Sequence, residues 1–113
     1  MTDRLPASVE ATGLIRRAEG EGDFATVLRK GDEERGALLL VIANRGQHVA
    51  CLERIMSLDH DYRWQTVGPG AGAGSVEIAE FLAKRQRIDP DSWLIELDVA
   101  QPERFIAETT GEG

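Results

Sequence analysis

Asp89 and Asp91 flank Pro90, Trp93 follows, and Glu96 and Asp98 sit within the next apolar run: RIDPDSWLIELDV, residues 87 to 99. Carboxylates paired this closely could share general acid and base work, and the tryptophan beside them could anchor a ligand or partner. Backbone chemistry offers a simpler account. Asp is a preferred turn residue, and the residue before a proline avoids helical angles. Strand alternation then places Trp93, Ile95, Leu97 and Val99 on one face and Leu94, Glu96 and Asp98 on the other. On this reading the first two acids shape a turn and the last two lie on the solvent side of a half-buried strand. Asp59 and Asp61, in LDHDYRW, take the same explanation.

The glycine-rich stretch GPGAGAGS is the sharpest motif. Gly68, Gly70 and Ala73 satisfy G-x-G-x-x-A between a predicted strand and a predicted helix. Backbone N–H groups of such a loop, with Gly72 and Ser75, could hold phosphate at a helix N-terminus. This gives an alternative function: a small enzyme or nucleotide binder using the Gly68–Gly74 loop, with Asp89, Asp91 or Asp98 as its acids. Three features oppose it. DYRWQTV is too polar for the central strand of a parallel sheet. Pro69 removes one N–H from the loop. Asp98 follows Gly68 by thirty positions, later than the usual ribose-binding acid. Alternating Gly and Ala also describes a plain connector.

Metal and nucleophile chemistry are short of residues. A zinc site usually needs four compactly spaced ligands, and the chain has one cysteine and two histidines. His48 and Cys51 are three apart on a predicted strand, so they are expected on opposite faces. Cys51 lies between Ala50 and Leu52, where a thiol behaves as an inert small hydrophobe. No metal and no other cofactor is expected. Trp64 and Trp93 are expected mainly in the core. Tyr62 and Trp64 share a predicted face and form the preferred contact surface if that face is open.

These residues must be held by one domain, since the chain has 113 residues. A net charge of −7 leaves no overall basic surface for a polyanion, so nucleic acid is not an expected partner. No apolar run is long enough to span a membrane. The start, MTDRLPASVEATG, lacks the apolar stretch of a signal peptide. With its lone cysteine, the chain reads as cytoplasmic.

Residues 8–20 predict a helix with Ser8 as N-cap and with Val9, Thr12, Ile15 and Arg16 at helical spacing, Leu14 and Ala18 widening the face. FATVLR alternates as a strand. ALLLVIAN is a continuous apolar run, expected as an interior strand. Arg45-Gly46 predicts a tight hairpin into HVACLERIM, and YRWQTV a fourth strand. Ser75 is expected to cap a second helix with Val76, Ala79, Leu82, Ala83 and Gln86 along its buried stripe. Asp89-Pro90 ends that helix, WLIELDV is a fifth strand, and Gln101-Pro102 starts a short final helix. Residues 109–113 are expected to fray. The sum is an α+β fold: a mainly antiparallel sheet of about five strands, two helices on one face, and the short C-terminal helix.

The segments GDEERGALLLV, LDHDYRW and RIDPDSWLIELD resemble a small bacterial family catalogued as domain of unknown function 1491. The similarity runs over most of the chain. It implies a short, soluble, single-domain protein with no assigned activity, so it carries over no catalytic or binding residues. The matching positions include Gly31, Asp32, Gly36, Asp89, Pro90, Asp91 and Trp93, which mark either a site or the turns of the fold. From the residues themselves, the leading expectation is a non-enzymatic binding or adaptor domain. Its partner would be a protein or small ligand, with self-association left open. Its candidate contact residues are Tyr62, Trp64, Asp89, Asp91 and Trp93.

Overall fold

The computed structural model describes residues 6–56 and 62–111. Its elements are α1 (Ala7–Gly20), β1 (Phe24–Arg29), β2 (Leu38–Asn44), β3 (Gln47–Met56), β4 (Tyr62–Val67), α2 (Ser75–Ile88), β5 (Trp93–Asp98) and α3 (Pro102–Thr110). The five strands form one sheet in the order β1-β5-β2-β3-β4. Three of its pairings are antiparallel, and β2 with β5 is parallel. The α+β expectation holds, with one parallel pair at the centre. The two strands of that pair are also the most buried, as a position covered on both faces requires. All of β2 from Leu38 to Ala43 is buried.

Helices cover both faces of the sheet rather than one. Leu38, Leu40, Ile42, Leu52, Trp93, Ile95 and Leu97 meet α1 and α3 through Ala7, Ala11, Ala18 and Phe105. Leu39, Val41, Cys51 and Leu94 face the other way, toward Phe81 and Leu82 of α2. Strands that are apolar on both sides would leave a second face wet if α2 joined α1, so α2 crosses to the opposite side.

The helix faces differ in detail from their sequence stripes. Alanines at 7, 11 and 18 let α1 lie close to the sheet, while Val9 points outward. In α2, Ile78, Phe81, Leu82 and Arg85 turn inward, and Val76, Ala79, Ala83 and Gln86 are exposed. Pro6 and Gly74 occupy the N-cap positions expected for Ser8 and Ser75, which fall just inside the helices. Gln101 and Pro102 start α3 as expected. That helix reaches Thr110 and closes on Gly111 at φ 78°, so it extends into the segment read as a tail.

Candidate functional site

β5 lies between β1 and β2, so the β1–β2 loop must pass over the start of β5. Residues of two of the family-like motifs, GDEERGALLLV and RIDPDSWLIELD, meet at that crossing. A Cβ on Gly31 would lie 2.2 Å from the Asp91 carbonyl oxygen, and one on Gly36 would lie 2.4 Å from the same atom. Only glycine lets the two backbones approach this closely. The Asp32 N–H donates to the Asp91 carbonyl at 2.9 Å, and the Trp93 indole N–H donates to the Asp32 carbonyl at 2.8 Å. The Asp32 carboxylate accepts the N–H groups of Glu34 and Arg35. The Asp89 carboxylate accepts the Asp91 N–H at 3.2 Å, and its carbonyl accepts both the N–H and the hydroxyl of Ser92. Arg29 reaches across to the Ser92 hydroxyl. The Asp91 side chain is exposed and Trp93 is buried.

Asp98 lies at the far end of β5 from this corner. Its two carboxylate oxygens accept the N–H groups of Arg45 and Gly46, each at 2.9 Å. Both turn residues have positive φ, 52° and 79°, as a two-residue hairpin requires. Asp23 likewise accepts the Ala100 N–H. Asp98 therefore fastens the β2–β3 hairpin to the central strand. It does not converge with Asp89 and Asp91, which sit at the other end of the sheet.

The glycine loop follows β4, an outermost strand antiparallel to β3. A dinucleotide-binding loop instead follows a central parallel strand. Gly68 has φ 66° and backs directly onto the Phe81 ring. Gly70, Gly72 and Gly74 have open space around them. His48 Nε2 lies 2.9 Å from the Pro69 carbonyl and ties the loop to β3. Ser75 and His48 line a cleft of about 280 Å³ with Val41, Ala43, Leu82 and Glu96.

His48 and Cys51 share a face, contrary to the three-residue spacing. The β2–β3 register shifts after Ile42, and this bulge turns Val49 toward one core cluster and Cys51 toward the other. Cys51 is fully buried, and burial pushes its thiol up to about 11. A thiol held in that form is a poor nucleophile. Among the described residues, no three His, Cys, Asp or Glu side chains gather around a point where an ion could sit. His60, Asp59 and Asp61 lie outside the described residues.

The two β4 aromatics belong to the α1 and α3 side. Trp64 is half-buried and packs against that core. Tyr62 stacks under the Arg54 guanidinium, 4.6 Å from its ring centre. Arg54 is itself buried and pairs with Glu10 of α1. On the other face Arg85 of α2 pairs with Glu53.

Outward-facing apolar side chains gather on β1. Phe24 is 73% exposed, Leu28 49% and Val27 41%. The sequence alternation left the inward face of β1 open; the smaller Ala25 packs on the core. The only sequence sign of an open strand was the absence of charge between Asp23 and Arg29.

Taken together, these features define a small α+β domain with a mixed sheet between two helix layers. The family model described as a protein of unknown function, DUF1491, matches residues 5–107, and the chain belongs to that family. A crystal structure of a DUF1491 protein from Caulobacter crescentus CB15 is similar at 30% identity and a TM-score of 0.76, covering 86% of this chain and 90% of that one. The solution structure of a DUF1491 protein from the same organism gives 30% identity, a TM-score of 0.74 and coverages of 87% and 88%. A solution structure from A. tumefaciens gives 28%, 0.71, 86% and 87%. No curated protein matches the chain. No helix among the described residues is long and apolar enough to cross a membrane.

Proposed function

We propose that the chain is a non-enzymatic binding module whose contact surface is the β1 side of the sheet. The observation that carries this reading is where the polar groups are used. The carboxylates of Asp23, Asp32, Asp89 and Asp98 each accept backbone N–H groups of this chain, and no nucleophile, base and orienting group assemble among the described residues. Binding energy has to come from somewhere else on the surface. Phe24, Val27 and Leu28 make up three of the six exposed large apolar side chains among the described residues, and exposed apolar area marks contact surfaces. Tyr62, Trp64 and Trp93 offer less, because each already packs against other parts of the fold.

A thermal-shift screen with nucleotides, inorganic phosphate and divalent cations tests this reading. No ligand is expected to move the midpoint. A ligand present at a hundred times its Kd would stabilise the chain by about 2.7 kcal/mol, a shift of several degrees for a domain of this size. A nucleotide shift of that size, lost on Gly70→Val or Ser75→Ala, would instead support the glycine-loop reading.

A further inference from the structure

We infer that β1 binds a second copy of this chain, the two strands pairing antiparallel about a two-fold axis so that their sheets join edge to edge. The inference rests on the reading of β1 as the contact surface and names its occupant. β1 is the last strand at its end of the sheet. A terminal strand presents unpaired N–H and carbonyl groups, and proteins usually guard such an edge with charge, proline or a bulge. The opposite end is guarded: Arg63, Gln65 and Thr66 are the exposed residues of β4. On β1 the exposed residues are Phe24, Thr26, Val27 and Leu28, with no charge among them. Its one irregularity lies between Val27 and Arg29, which leaves the backbone from Phe24 to Val27 free to pair.

Charge selects the occupant. Glu21 precedes this strand and Lys30, paired with the exposed Glu33, follows it, while Asp23 and Arg29 are engaged by Ala100 and Ser92 of their own chain. An antiparallel copy brings the acidic end of each strand beside the basic end of the other, twice over. A parallel copy would set like beside like. The strand is therefore its own complement, the condition for an isologous two-fold contact. The net charge of −7 opposes self-association in general, so this local reversal of sign is what orients the pair. Phe24 and Val27 of each copy then lose water against the other.

Sedimentation velocity on the full chain, from about 10 μM to 1 mM, reads the outcome. A monomer–dimer equilibrium is expected. Phe24→Glu should weaken dimerisation at least about tenfold, with an unchanged thermal midpoint at dilutions where the chain is monomeric, because that side chain is already exposed. Glu21→Lys and Lys30→Glu should each weaken it, and the double variant should recover most of the loss. A monomer at about 1 mM overturns the inference. So does a dimer indifferent to Phe24→Glu, or a charge-swap pair that shows no recovery. A monomer leaves the binding-module reading to the ligand screen, whereas a nucleotide hit in that screen ends that reading whatever the oligomeric state.

Discussion

Gly31 and Gly36 show how a single missing atom can decide a fold. Each sits where a Cβ would meet the Asp91 carbonyl, a backbone atom that cannot rotate away. Gly31→Ala and Gly36→Ala are therefore each expected to cost at least about 2 kcal/mol in denaturant unfolding, the overpacking range or beyond. Gly70→Ala, with open space around it, should stay within about 0.5 kcal/mol. Cys51 makes a second residue-scale prediction. Its folded thiol titrates near 11 against an ordinary value of 9.0, so the folded state holds its proton more tightly than the unfolded state does. That contribution is fully present below pH 9 and is lost as pH rises toward 11. Its size is about 2 to 3 kcal/mol, since each pKa unit is worth about 1.4 kcal/mol. The pH dependence of unfolding in Cys51→Ala, compared with the parent chain, isolates it. A parent chain as flat as the variant over that range would contradict the burial argument.

At the scale of elements, the β2–β3 hairpin carries a correctable strain. Arg45 adopts φ 52°, a region that costs a residue with a Cβ about 1 kcal/mol or more. Asparagine tolerates it better, so Arg45→Asn should raise stability by about 0.5 to 1 kcal/mol while leaving the hairpin in place. The packing of α1 depends in part on a buried ion pair, Arg54 with Glu10. Glu10→Gln keeps the shape but removes one charged partner of Arg54, and is expected to cost about 1 kcal/mol or more in unfolding experiments. These elements differed in how far their sequences disclosed them. Strands and helices announced themselves through period and punctuation. The buried face of α2 did not, because apolar residues lie around most of its circumference; Phe81 against Gly68 and Arg85 against Glu53 decided it. The face of His48 was hidden by one bulged residue, which reverses everything before it on the strand.

Across the whole molecule, local signals could supply the elements but not the order of the sheet. The continuous apolar run of β2 marked it as interior, whereas the alternation of β5 read as a half-buried strand. Nothing in either strand says that β5, last in sequence, slips between β1 and β2. That insertion explains why Gly31, Asp32 and Gly36 recur beside Asp89, Asp91 and Trp93: they are the two sides of one crossing. The outward turn of Phe24 was also beyond local reasoning, because it depends on α2 covering β2 and β3 and stopping short of β1. The central claim is that the acids serve the backbone, and an alanine series at four of them tests it. Asp32→Ala, Asp89→Ala and Asp98→Ala should each lower unfolding free energy by about 1 kcal/mol or more, the usual worth of such hydrogen bonds. Asp91→Ala, exposed and with no side-chain hydrogen bond among the described residues, should change it by less than about 0.5 kcal/mol. Acids kept for catalysis commonly cost stability, so a series in which Asp32, Asp89 and Asp98 prove neutral or stabilising on removal would contradict the account.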